Sequence, residues 1–394
     1  MHQPTSHCSN VCSPHGVLPY MPAVDGLRGI AILLVLWSHA PFLFRQLPQF
    51  SNQQTPWMLG PFWRMSLGGW IGVDLFFVVS GFLITCILLR LKDAGGSLLA
   101  FWGRRGLRIL PLALLYLAVL SVVLPDFEAW PWYAFYLGNF HIALHGWQPT
   151  AIMLLWSLAI EEQFYLVWPF LVRICKARYI LWCSIGVIVT APFMRAVTLW
   201  WADYPATYVL TFCRLDGLAA GAIVALLYAS RESRERLFTL CRRLTAPALA
   251  VIMITLLVPF SPSLPEARPW WFSVFGYSGI AVSFGVLLVS SLDARGSIKM
   301  LLTSRMLTHL GRRCYGLYLW HAVTAGMAVS AMQQWRIGFY AHIIVWLAML
   351  LIMVRGSWLL FEEPILMLKR FLPYSEGRSD AAEVSESGLI GASR

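Results

Sequence analysis

The chain has 394 residues, of which 58% are hydrophobic and only 12% charged, with a net charge of +11 and a mean hydropathy of +0.65. Soluble proteins carry about 25% charged residues, and disordered chains are poor in aromatics, whereas this chain holds 23 Phe, 19 Trp and 14 Tyr. Both classes are excluded, and the composition is that of a protein that crosses a membrane several times.

Taken in chain order, residues 1–22 read as a flexible cytoplasmic segment without the charged start and apolar run of a secretory signal. His7, Cys8, Cys12 and His15 lie close together there, but their spacing follows no strong metal-binding pattern, and no metal is expected. A bilayer core needs about 20 mostly apolar residues per helix. Ten such spans are expected near 30–46, 71–91, 107–124, 156–173, 179–198, 207–229, 246–260, 271–292, 310–332 and 338–361. The seventh is short and flanked by Pro247 and Pro259. The stretch 130–147 is aromatic but broken by Pro131 and Gly138, which suits an interfacial segment rather than a span. Its Trp130, Trp132, Tyr133, His141 and His145 fit either an aromatic belt or a platform on which a sugar stacks. The membrane domain is expected over 23–372 and a polar, disordered cytoplasmic tail over 373–394.

The fold class is therefore all-α and polytopic. On this topology 23 of the 30 Lys and Arg fall on one side and five on the other, namely Arg45, Arg64, Arg195, Arg268 and Arg336. Positive residues are retained in the cytoplasm, so both termini are expected there. The net charge reads as topology and calls for no nucleic acid partner. The eight Cys form no disulfide framework, because most lie in or beside spans or on the reducing side.

Ionisable groups inside spans are costly and face a cavity or a partner. His39 lies about nine residues into the first span, roughly 14 Å deep. Arg28 precedes it by eleven residues, about 1100° of helix, within roughly 20° of three turns, so the two share a face. Histidine is a natural general base near neutral pH; the competing role is a hydrogen-bonded packing residue. Asp74, at the start of the second span, can orient a cation such as His39 or an arginine, while Ser80 and Gly81 suit close helix packing. Arg104, Arg105 and Arg108 precede the third span. They serve as a topology anchor or, with Arg105 and Arg108 on one helical face, as a dock for phosphate. Ser157, Glu161 and Tyr165 recur one turn apart, with Glu162 beside them. Arg214 and Asp216 stand two apart in the sixth span, so each needs its own partner elsewhere. Tyr318 and His321 share a face of the ninth.

These residues alone do not separate an enzyme from a transporter of a small polar or anionic solute, which also buries charge. No repeated halves or P-loop are visible. The blocks from Ala23 through Asp25 and Arg28 to His39, Val73-Asp74-Leu-Phe-Phe, Phe101 to Pro111, Trp156 to Tyr165, Arg214-Leu-Asp216-Gly, Tyr315-Gly-Leu-Tyr318-Leu-Trp-His321 and Glu362-Glu363-Pro364 resemble, in order, the acyltransferase-3 family of integral membrane O-acyltransferases. The resemblance implies ten spans and transfer of an acyl group, usually acetyl, from acyl-CoA as co-substrate, with no permanently bound cofactor. The acceptor it implies is a hydroxyl of a glycan, a lipid-linked sugar (glycolipid) or a small secondary metabolite. It maps the family's Arg-to-His motif onto Arg28 and His39, its Arg-x-x-Arg element onto Arg105 and Arg108, and its conserved acid onto Glu161 with Glu162 beside it. Catalytic roles are then expected for His39, Arg28, Asp25, Asp74, Glu161 and Glu162. Donor contacts are expected from Arg105, Arg108 and Arg214, and acceptor contacts from Ser157, Tyr165, Asp216, Tyr318 and His321. Some members carry a fused extracytoplasmic esterase-like domain, for which this length leaves no room, so transfer is expected to finish within the membrane domain. The setting expected is the bacterial inner membrane, with membrane lipid as a further partner.

Overall fold

The structure is a computed structural model that describes residues 20–45, 66, 68–124, 127–202, 204–257, 269–335 and 339–374. Among the described residues there is no strand. Nine helices are long and apolar enough to cross a membrane. Eight of the expected spans correspond directly to α1 (Pro22–Arg45), α2 (Gly72–Asp93), α3 (Leu98–Val123), α7 (Leu155–Ile174), α8 (Ala177–Trp201), α10 (Thr211–Ala229), α12 (Tyr277–Leu292) and α16 (Phe339–Ser357). The seventh is α11 (Arg231–Leu257), which begins well before the expected 246 and takes Pro247 into its interior. The remaining one is α15 (Cys314–Trp335), which is long enough but is diluted by Tyr315, Tyr318 and His321 and is not among the nine. The stretch 130–147 forms two short helices, α4 (Trp130–Ala134) and α5 (Gly138–His145), neither long enough to cross a membrane. Between them and α7 lies the single turn α6 (Thr150–Met153), and α9 (Tyr204–Val209) precedes α10. Two further short helices, α13 (Gly296–Leu302) and α14 (Arg305–Arg312), lie before α15. The segments 1–19 and 375–394, with the His7/Cys8/Cys12/His15 group, lie outside the described residues.

Two boundaries differ from expectation in ways that matter. Helix α1 begins at Pro22, which puts Asp25 and Arg28 in its first two turns. Helix α3 begins at Leu98, where the Ser97 side chain caps it by accepting from the Ala100 N–H. Arg104 and Arg105, expected just before the third span, thus lie within its helix together with Arg108. Arg195, counted above with the charges of the non-cytoplasmic side, sits inside α8 and is fully buried. It carries no topological weight, because an arginine with internal partners is held by them and not by the aqueous side.

Helices α2 and α10 form the centre of the bundle and are its most buried members. Their approach depends on glycine. A Cβ at Gly81 would overlap the backbone of Leu218, and one at Gly221 would overlap the Val78 carbonyl. In lipid, helix association rests on close packing of small residues of this kind. Helices α8, α11 and α16 ring the outside and expose much of their apolar surface. The C-terminal end of α7 is closed by Lys92, whose Nζ donates to Val172 O (2.8 Å) and Cys175 O (2.6 Å). A cation at a helix C-terminus satisfies orphan carbonyls and the helix dipole together.

Candidate active site

One end of the bundle gathers arginine. Arg28 from α1 and Arg105 and Arg108 from α3 line a cavity of about 100 Å³ that runs inward past Glu161 to Ser157 and Tyr318. At the arginine end, Arg28 Nη2 donates to Cys314 Sγ (3.1 Å) and pairs with Asp25 (3.6 Å), which Arg312 also approaches at 3.5 Å. Arg104, one residue from Arg105, turns away instead and donates to the carbonyls of Lys369 (3.3 Å) and Leu372 (3.2 Å). The helical phase separates them: Arg105 and Arg108 face the cavity, and Arg104 does not.

Glu161 is fixed from two sides. Ser80 Oγ donates to its Oε1 (2.9 Å) and Tyr165 OH to its Oε2 (3.0 Å). The Arg105 guanidinium lies 4.0 Å from the centre of the Tyr165 ring. Arg105, Tyr165, Glu161 and Ser80 therefore form a connected row along one wall. At the inner end the hydroxyls of Ser157 and Tyr318 hydrogen-bond at 2.6 Å, and Leu154 O lies within reach of both, 2.9 Å from Tyr318 and 3.3 Å from Ser157, so one hydroxyl donates to the other and the second to the carbonyl. Leu154 is the N-cap residue of α7.

His39 is not on the wall of this cavity but one layer beyond Tyr318. The Tyr318 and His321 rings are 5.8 Å apart, and His321 meets His39 edge-on with ring centres 4.8 Å apart. His39 Nδ1 donates to Val35 O (2.8 Å), with Ser38 Oγ at 3.1 Å. This assigns the tautomer and leaves Nε2 as the basic nitrogen. His321 is held the same way, Nδ1 to Tyr318 O at 2.6 Å, and its buried Nε2 has no hydrogen bond among the described residues.

The remaining expected site residues lie apart from the cavity. Asp74 meets neither His39 nor the arginine cluster; it pairs with Arg214 at 2.7 Å, both sealed from solvent. Asp216 pairs with Arg195 at 2.9 Å and accepts from Ser278 Oγ at 2.7 Å. Glu162 is half-buried, and its Oε1 has no hydrogen bond among the described residues. Sequence reasoning left out Ser80 as a ligand of Glu161, Cys314 as a partner of Arg28, and Arg195. For Arg195 the signal exists, a lone arginine in an apolar run, but the charge count alone places it on the non-cytoplasmic side. Among the described residues no group of three or more His, Cys, Asp or Glu could hold a metal.

The acyltransferase family whose description reads "Acyltransferase domain" matches residues 21–362. The chain belongs to the acyltransferase-3 family. It is 30% identical over 373 residues to YrhL of Bacillus subtilis, covering 88% of this chain and 55% of that protein. It is 28% identical over 396 residues to the peptidoglycan O-acetyltransferase OatA of Listeria monocytogenes, covering 92% of this chain and 58% of OatA. The chain thus spans little more than half the length of these relatives. No solved structure matches it.

Proposed function

We propose that this chain transfers an acyl group, acetyl in the first instance, from acyl-CoA to a hydroxyl of a glycan, with peptidoglycan suggested by the name of OatA. The observation that carries the reading is the cavity whose mouth holds Arg28, Arg105 and Arg108 and whose inner end holds paired hydroxyls. Arginine forks match phosphate geometry, so the CoA phosphates sit at the mouth and the pantetheine arm runs inward along Glu161. The acceptor oxygen attacks the thioester carbonyl while His39 Nε2 takes its proton; the C–S bond breaks, and the CoA thiolate recovers that proton. General-base help of this kind is worth about 10²–10⁴-fold. Asp25 holds Arg28 and Glu161 holds Tyr165, so both act on the donor side of the reaction.

In this reading the arginine-rich end faces the cytoplasm, where acyl-CoA is found, both termini lie there, and the membrane is the bacterial inner membrane. Family membership favours transfer over solute transport. The test is transfer of labelled acetyl from acetyl-CoA to glycan by the purified chain. A folded His39→Ala protein should lose about 10²-fold or more of the rate. Full retention would remove His39 as the base, and flux in sealed vesicles without acylated product would favour transport.

A further inference from the structure

A second hollow, of about 700 Å³, opens at the opposite end of the bundle beside α4 and α5. Leu124, on its wall, lies about 28 Å along the α3 direction from Arg105, close to the thickness of a bilayer core. Its polar surface is Glu128, His141, His145 and Gln148, and Trp132, a residue 37% exposed, also lines it. No arginine or lysine is among the described residues that line it.

These side chains are pre-set. The His141 and His145 rings stack with centres 4.5 Å apart, and Trp132 lies 5.8 Å from His141. His145 Nδ1 donates to His141 O at 3.1 Å, while His141 Nδ1 faces Tyr133 OH at 3.4 Å. Neither Nε2 has a hydrogen-bond partner among the described residues. Gln148 is anchored through its Nε2 to Gly146 O (3.2 Å). An aromatic face flanked by planar polar groups suits a pyranose ring, which offers one apolar C–H face and a rim of hydroxyls. An anionic lipid headgroup would need cations that this wall does not present.

The hollow also lies next to the chemistry. Ile152 on its wall is followed, about 7 Å further along the chain, by Ser157 at the inner end of the arginine cavity. Leu154, whose carbonyl is held by Tyr318, lies between Ile152 and Ser157 in the chain. Resting on the acyltransferase reading above, we propose that this hollow binds a sugar ring of the glycan acceptor, so that donor and acceptor approach the Tyr318–Ser157 pair from opposite ends of the bundle. Burial and the neighbouring His145 both lower the His141 pKa from its ordinary value, which keeps the His141 ring neutral and suited to an uncharged ligand.

The test is equilibrium binding of a β-1,4-linked N-acetylglucosamine oligosaccharide to the purified full chain, read by tryptophan fluorescence, with coenzyme A binding measured in parallel. Trp132→Ala should weaken oligosaccharide binding by about tenfold or more, and Trp132→Phe should restore most of it. Coenzyme A affinity should be unchanged in both, which shows that the variants are folded. Arg105→Gln should do the reverse. No oligosaccharide binding by the wild-type chain, or equal binding by Trp132→Ala, would overturn the proposal and leave an aromatic belt. Preferential binding of phosphatidylglycerol vesicles that Trp132→Ala abolishes would overturn it in favour of a lipid surface. Failure of the acyltransferase reading shows separately, as loss of coenzyme A binding in the wild-type chain.

Discussion

The guanidinium of Arg214 lies 2.7 Å from the carboxylate of Asp74, and neither side chain reaches solvent. The pair ties α10 to α2. The second pair, Arg195 with Asp216, ties α8 to α10, and Arg195 Nη2 donates to Ser278 of α12 at 2.6 Å. Around Arg214 the rings of Tyr277 and Tyr208 lie 4.3 and 4.9 Å away. They face a cation whose Nε and Nη1 have no hydrogen bond among the described residues. An arginine placed this way assembles helices and does not reach a ligand in the arginine cavity.

Removing one partner of a buried pair leaves an uncompensated charge, at a cost of about 3–5 kcal/mol. Arg214→Met should therefore sharply lower the thermal stability of the detergent-purified protein, and Arg214→Met with Asp74→Leu should recover much of it. Coenzyme A affinity of whatever protein remains folded should match wild type. A selective loss of that affinity at normal stability would return Arg214 to the donor site.

Arg104, Arg105 and Arg108 give a sharper comparison, since composition treats them alike. Arg105→Gln and Arg108→Gln should each weaken coenzyme A binding by about tenfold, about 1.4 kcal/mol, and flatten its dependence on salt. Arg104→Gln should leave that binding nearly unchanged, because its guanidinium is spent on the Lys369 and Leu372 carbonyls. Titration calorimetry at two ionic strengths measures all three.

Glycine contacts between α2 and α10 should be intolerant of bulk. Gly221→Leu drives a side chain into the Val78 backbone, and overpacking costs about 1–3 kcal/mol even where neighbours can shift. Gly279→Ala, with nothing within 4 Å of the added Cβ, should be silent. The yield of monodisperse protein on size-exclusion chromatography separates the two.

Oligosaccharide binding should depend on pH through His141. Its folded-state pKa lies below the ordinary value of 6.5, through burial and the adjacent His145. The neutral ring therefore persists from pH 8 to below 6.5. Binding should stay level over that range and fall only on further acidification, as protonation places a charge against His145. The same titration should be flat in His141→Gln.

Much of this architecture was legible in the chain itself. Apolar runs of bilayer length marked the helices, since a membrane satisfies backbone polar groups only within them. The two-residue spacing of Arg214 and Asp216 correctly required separate partners, because a helix turns them to different sides. The partners stayed hidden: Asp74 lies 140 positions from Arg214, and no local rule links them. Helix starts were misplaced at Arg28 and Arg104 because charge was read as the end of a span, whereas buried arginines continue the helix when a cavity or carbonyls receive them.

The sequence by itself determined the membrane class, the helical content and which scarce polar residues deserved a chemical role, because hydrophobicity and helical period are properties of neighbouring residues. Tertiary structure alone decided how those residues divide. It sent Arg28, Arg105, Arg108 and Glu161 to one cavity, Asp74 and Arg214 to a sealed pair, and His39 to a layer behind Tyr318. Those assignments depend on helices packed side by side from distant parts of the chain, and the direction in which a buried charge finds its partner is set only when they meet.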